Sequence, residues 1–384
     1  MSEPPMPDPL PADEAATATP VETAAAAAAE VAAAARTEAE DSTRGQISLG
    51  ERLRQPRTII SIVLPIVILV LIFRIALKVD VQELIHGIAV SNKLALLAAF
   101  GIFYLGFPLR GLRWAKLLRG TGTPITVRDS TEILFLSWFI NCLVPAKLGD
   151  LYRAYLVKLN GGTSGSTALG TVVIERVLDL FVIAILGLAA GFWSFRNGFP
   201  PEIQFVAVLG IGVLIMLAVL LLTLRNFGRR FLELLRLPHR ILDMYDRFEE
   251  GVFGAMGARS IPGLVALSGL IWMTEGLRLY FVVLALGFPD VQLGLSGAFF
   301  VALIGSLLTA VPLSPAGLGT VELGVVAVLT LAYGIGAQEA ATIVVVDRLI
   351  SVFSVIVFGA VVYLFSGKRK GEGLAPMRGA QQPA

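Results

Sequence analysis

The chain has 384 residues, 55% of them hydrophobic and 16% charged, with mean hydropathy +0.77. Soluble domains hold about 25% charged residues, so this composition excludes an ordinary soluble domain and specifies a polytopic membrane protein. The single cysteine, Cys142, excludes an internal disulfide, and His86 and His239 flank no cysteine or carboxylate cluster at metal spacing, so neither a metal nor a cofactor is expected. A net charge of +2 says little alone, because orientation in a membrane follows the distribution of Lys and Arg along the chain.

Residues 1–50 are rich in Ala, Pro, Glu and Thr with almost no large apolar side chain, so they are expected to form a disordered cytoplasmic tail. Their acidic start is not that of a secretory signal peptide. A membrane helix needs about 20 mostly apolar residues. Six segments meet that need: 58–77, 94 to about 112, 167–192, 203–224, 261–286 and 340–365. Two further apolar regions, 130–159 and 296–333, are divided near the middle by Pro/Gly turns that leave short arms, and each is predicted to be a re-entrant helical hairpin. A final stretch, 366–384, reads as a second cytoplasmic tail.

Basic residues precede the first span (Arg52, Arg54, Arg57), follow the second (Arg110, Arg113, Lys116, Arg119, Arg128), follow the fourth (Arg225 to Arg240) and follow the last (Lys368, Arg369, Lys370). All fall on one side if each hairpin returns to the side it left. That side is expected to be the cytoplasm, with both termini there and the protein in the cell's inner membrane.

The chain repeats itself. "LVPAKLGDL" around Pro145 is followed by "VVIERVLDLF" around Glu175, and "LSPAGLGTV" around Pro315 by "VVVDRLISVF" around Asp347. Proline and acid are separated by 30 residues in one copy and 32 in the other, and upstream "RGLRW" at Arg110–Trp114 answers "EGLRL" at Glu275–Leu279. Two copies, within 51–192 and 203–365, separated by an odd number of crossings make an inverted-topology repeat, the arrangement in which broken helices form a site near the bilayer midplane. The predicted fold is therefore all-α: six full transmembrane helices plus two re-entrant hairpins.

The residues "VPAKLGDLYRAYLV", "ERVLDLF", "PLSPAGLGTVE" and "VDRLISVF" resemble the transmembrane domain of the lysylphosphatidylglycerol synthase family, over nearly all of 58–365. The resemblance implies a flippase-like module that moves aminoacylated phospholipid between leaflets. In the full synthases a soluble acyltransferase domain follows. Here the sequence ends about twenty residues after the last span, so a stand-alone member without synthase activity is expected.

Charges inside spans cost roughly 2.5 kcal/mol or more on insertion scales and so mark candidate sites. The candidates for substrate contact are Arg113, Lys147, Asp150, Arg153, Glu175, Arg176, Asp179, Glu275, Arg278, Glu322, Asp347 and Arg348, with Pro145, Gly149, Pro315, Gly317 and Gly319 making the hairpin turns. Glu175 and Asp179 are four apart on one helix face, so internal ion pairing and headgroup contact are both open for them. Arg278 lies deep in its span and suits a phosphate, whose oxygens match a planar guanidinium. Arg113, nearer a helix end, reads either as a headgroup ligand or as a snorkelling surface residue. Glu275, one turn before Arg278, is placed to hold it.

The leading function is a lipid flippase or translocase for a phospholipid or related polar-headgroup lipid. The alternatives are an ion-coupled small-solute transporter, and a membrane partner subunit of a lipid- or glycolipid-modifying enzyme. No nucleophile–base pair and no P-loop pattern is present, so the chain does not read as an enzyme or an ATPase. The expected partners are the lipid itself, a second copy of the chain, and a lipid-modifying enzyme docking at 225–260, whose "HRILDMYDRFEE" reads as an amphipathic surface helix. No nucleic-acid partner is expected.

Overall fold

The computed structural model describes residues 81–144, 146–196, 239–255, 259–310 and 314–375, with scattered single positions elsewhere. The 1–50 tail, the first span at 58–77, most of the fourth span at 203–224 with the loop after it, Pro145, the side chain of Pro315, and residues 376–384 lie outside the described residues. Among the described residues every regular element is helical.

Helix α1 covers Val81–Val90 and α2 covers Lys93–Gly120. Asn92 starts α2 by accepting hydrogen bonds from the amides of Leu94 and Ala95, two of the donors that a helix N-terminus leaves unpaired. Helix α2 runs about two turns past the predicted end at 112, so its cluster of basic residues is helical rather than loop. Helices α3 (Val127–Leu143) and α4 (Leu148–Leu159) form the first hairpin, and α5 covers Gly165–Ser194. Helix α6 (His239–Glu249) continues through a π-helical turn at Glu250–Gly254. Helix α7 spans Ile261–Leu286, and α8 (Leu295–Ala310) with α9 (Thr320–Tyr333) forms the second hairpin. Helices α10 (Ala337–Arg348) and α11 (Ser354–Phe365) are joined through a π-helical turn at Leu349–Phe353.

Among the described residues, three helices are long and apolar enough to cross a membrane: α2, α7, and the continuous α10–α11. Helix α5 has the length, at 30 residues, but carries Glu175, Arg176 and Asp179 in its first half. The hairpin arms have 17 and 12 residues in the first hairpin and 16 and 14 in the second, each pair packed arm on arm. These arms fall short of the roughly 20 residues of an independent span.

The body is built on α2 against α7, and the "GLR" word of each helix explains how its own hairpin reaches it. A β-carbon on Gly111 would lie 2.9 Å from the Cα of Thr131 on α3, and one on Gly276 would lie 2.5 Å from the Phe299 ring on α8. Each glycine therefore lets the first arm of the following hairpin approach the backbone, as small residues do between membrane helices. Trp114 and Phe103 of α2 are fully buried at this centre.

The predicted amphipathic stretch is α6, and it docks on α5 of its own chain. Gly170 and Gly251 meet there, with a β-carbon on Gly170 placed 2.8 Å from the Cα of Gly251. Beyond α11 the chain crosses the base of the first hairpin. Lys368 pairs with Asp129 at 2.9 Å, Asn160 donates to the Lys368 carbonyl and accepts from Gly373, and the Ala375 amide donates to Asp129.

Candidate functional site

Both hairpins turn through left-handed backbone. In the first, Asn141 of α3 accepts from the amide of Gly149 at 2.8 Å, capping α4 from the opposite arm. In the second, the cap comes from within α9, where Glu322 accepts from the amide of Gly319. Gly149 itself owes its identity to crowding: a β-carbon there would overlap the carbonyl oxygen of Ser137 and come within 2.7 Å of the Asn141 side chain.

Between the turns lies a cavity of about 180 Å³, room for on the order of ten waters or one small headgroup. Six predicted site residues line it: Lys147, Arg176, Glu275, Arg278, Asp347 and Arg348. So does Gly317 of the second turn. The other six, Arg113, Asp150, Arg153, Glu175, Asp179 and Glu322, sit behind this wall as its buried supports, each 12% exposed or less at the side chain.

The pairing is nearly complete. Arg113 bonds both carboxylate oxygens of Asp179 and lies 3.4 Å from Glu175. Arg153 reaches Glu175 at 3.2 Å, and Arg176 holds Asp150 through two hydrogen bonds of 3.0 and 2.8 Å. On the other side Arg278 contacts Glu275 at 3.0 Å and Asp347 at 2.9 Å, Arg110 also pairs with Glu275, and Arg348 lies 3.0 Å from Glu322. Stacking on aromatic faces adds to this: Arg153 over Trp114 at 5.0 Å, Arg278 over Phe103 at 5.3 Å, and Arg110 over Trp138 at 4.7 Å. Six arginines thus meet six carboxylates, as buried charges require. Lys147 is the seventh cation of the group: its carbonyl accepts from the Asp150 amide, but among the described residues its ammonium has neither an ion-pair nor a hydrogen-bond partner.

Three sequence expectations are refined by this geometry. Arg113 is not a snorkelling surface residue: it is 1% exposed and lies within a helix that continues to Gly120. Glu275 does hold Arg278, and it holds Arg110 as well. Arg110, counted above as a loop charge, belongs to the buried network. Its signal was available in the repeat, where Arg110 of "RGLRW" stands at the position of Glu275 in "EGLRL". Matching positions with opposite charge meet across the α2–α7 interface. Asn141 and Trp272, which hydrogen-bonds Asp179 at 3.0 Å and lines the cavity, carried no such signal.

The comparisons with known proteins agree with the architecture. The family described as lysylphosphatidylglycerol synthase TM region matches residues 59–359. A UPF0104 membrane protein of Methanocaldococcus jannaschii is 37% identical over 226 residues, 59% of this chain and 93% of that protein. Another, from Methanothermobacter thermautotrophicus, is 26% identical over 323 residues, 79% of this chain and 92% of its own length. Glycosyltransferase AglD of Haloferax volcanii is 28% identical over 314 residues, 72% of this chain but 49% of AglD, so the chain spans about half of that protein. With apolar helices of membrane-crossing length and a family match over most of its sequence, this chain is a multi-pass membrane protein and belongs to the lysylphosphatidylglycerol synthase transmembrane region family.

Proposed function

We propose that the protein is a flippase or translocase that moves a polar-headgroup lipid between leaflets, with the cavity between the two hairpin turns as the headgroup's resting place. The observation that carries this reading is a charged, wettable cavity inside an apolar helical body, walled by paired arginines and one unpaired lysine. A headgroup crossing hydrocarbon needs such a replacement for water, and broken helices are tolerated at membrane depth where they line a cavity of this kind.

The transport model has six full spans, two re-entrant hairpins entering from opposite sides, both termini in the cytoplasm and a location in the inner membrane. The repeated "GLR" packing and the matched left-handed turns support the inverted repeat, and the distribution of Lys and Arg supports the orientation. Rocking of one half against the other would open the cavity to each leaflet in turn.

The test is translocation by the purified chain in liposomes. Protein-dependent loss of inner-leaflet protection of a fluorescent short-chain phospholipid from a membrane-impermeant quencher is expected, and no transfer of any headgroup tested would refute the reading. For the hairpin, Lys147→Cys in a Cys142→Ser background should react with a charged thiol reagent from the cytoplasmic face; reaction only from the opposite face would mean that the first hairpin crosses fully.

The similarity to AglD favours a second reading, in which this module serves a separate glycosyl-transfer enzyme as its membrane part. Transport by the pure chain, with no enzyme present, would separate the two.

A further inference from the structure

The cavity is chemically two-sided. On the first hairpin's side stand donors: Lys147 with its ammonium unpaired, and Asn141, whose side-chain oxygen is taken by Gly149 and whose Nδ2 remains to donate. Arg176 from α5 joins them, bound to Asp150 through Nε and Nη2 and therefore retaining N–H groups on Nη1. On the side of the second half, beside the ion-paired Arg278 and Arg348, stand hydroxyl acceptors. Ser306, Thr309, Ser314 and Ser351 line the cavity, and each donates its own proton to a backbone carbonyl, at 2.9, 2.8, 2.7 and 2.9 Å respectively. While those bonds are kept, what these four hydroxyls offer a ligand is a lone pair.

The two carboxylates that line the cavity, Glu275 and Asp347, are both committed to Arg278, and Glu275 to Arg110 in addition. An incoming ammonium would meet no uncommitted carboxylate among the described residues and would sit beside Lys147, Arg176, Arg278 and Arg348. An incoming phosphodiester would neutralise the surplus cation, and hydroxyls attached to it would donate to the serine and threonine lone pairs.

We propose that the cavity takes an anionic phosphodiester headgroup whose free substituents are hydroxyls, and that it rejects an aminoacylated, cationic derivative of the same lipid. This rests on the carrier reading above and narrows its cargo. The phosphate lies at the Lys147 end and the hydroxylated substituent at the Ser306 and Ser314 end.

The experiment measures binding of short-chain phosphatidylglycerol and of its lysyl ester to the purified full chain by native mass spectrometry. The anionic lipid should bind about tenfold or more tighter than the lysyl ester, as expected where like charges meet in an enclosed site. Lys147→Gly, which places in the first turn the residue that the second turn already holds, should keep the fold and bring the two affinities within about threefold of each other. Lys147→Glu should reverse the preference. Equal or tighter binding of the lysyl ester by the unaltered protein overturns the proposal, as does a preference untouched by Lys147→Gly or binding of neither lipid. Glycerol phosphate without acyl chains is the second arm: if it binds as tightly as the lipid, the ligand is a water-soluble phosphate and the lipid assignment falls. Liposome translocation by the same preparation separates the two levels. An intact preference with no transfer defeats the carrier reading alone, and transfer that favours the lysyl ester defeats the proposal alone.

Discussion

In the first hairpin the chain turns through Ala146 and Lys147, at φ of 62° and 54°, and in the second through Ala316 and Gly317, at 50° and 73°. The backbone solution is the same; the residue in its second position is not. A residue with a β-carbon in left-handed backbone costs roughly 1–2 kcal/mol, and glycine escapes that cost. The second hairpin takes the relaxed option and the first does not. The acids differ in a parallel way. Asp150 of α4 holds Arg176, whereas Glu322 of α9 lies beside Arg348 and also caps its own helix, a task that Asn141 performs in the first hairpin. Two similar turns have thus been fitted with a charge in one and a neutral surface in the other, which is how a matched pair of hairpins makes a two-sided cavity.

The largest expected effect comes from the arginines at the matching "GLR" positions. Arg278→Leu strands Asp347, which has no other ion-pair partner among the described residues, and should destabilise the protein by about 3–5 kcal/mol. Arg113→Leu leaves Asp179 with Arg176 at 3.8 Å and Trp272, and should cost less. Thermal unfolding in detergent compares the two, and equal losses would mean that the halves buffer charge alike. Adding Asp347→Leu to Arg278→Leu should restore most of the stability without restoring transport. Recovery of transport in that double variant would show that the pair is purely structural.

A smaller effect separates the glycines that follow the turns. Gly149→Ala pushes a β-carbon into the Ser137 carbonyl and should cost about 1–3 kcal/mol through overpacking. Gly319→Ala meets its cost in the backbone instead, since Gly319 has φ of 90°. Replacing Asn141 by Ala, which removes both a cap and part of the crowding at Gly149, should soften the first substitution and leave the second unchanged. Melting temperatures of the three single and two double variants decide this, and additivity of Asn141→Ala with Gly149→Ala would contradict the crowding account.

How far the sequence reveals these features depends on whether a signal is local. The bounds of α7 follow from hydropathy at Ile261 and Leu286, because an apolar run ends where its composition changes. Arg278 stands out by the same logic, as a charge inside such a run. Arg110 does not, because it opens a series of basic residues that reads as a loop, and its partner lies 165 residues away on another helix. Long-range pairing is a property of packing, visible in sequence only through the repeat. The second turn was legible because Gly317 and Gly319 favour left-handed backbone, whereas Ala146 and Lys147 do not, so only tertiary packing explains that part of the first. The division of the candidate charges into a cavity wall and a buried support was likewise absent from spacing alone, since Glu175 and Arg176 are neighbours in sequence and only Arg176 lines the cavity.

The smallest effect concerns Lys147 and decides why the halves differ. Lys147→Gly removes a left-handed β-carbon, worth roughly 1–2 kcal/mol in the folded state, and adds unfolded-chain freedom worth about 0.5–1 kcal/mol in the opposite direction. The net expectation is a protein slightly more stable, by somewhat under 1 kcal/mol, whose melting temperature rises while lipid transfer falls. The reciprocal Gly317→Lys should lose stability for two reasons: the backbone cost returns at φ of 73°, and its β-carbon would lie 2.6 Å from Val321. Combining the two moves the surplus cation to the acceptor side of the cavity, so the double variant should bind anionic lipid less well than the unaltered chain although its total charge is unchanged. If instead Lys147→Gly melts lower than the unaltered protein, the lysine side chain holds the turn together, and the two hairpins differ for reasons of packing rather than of cargo.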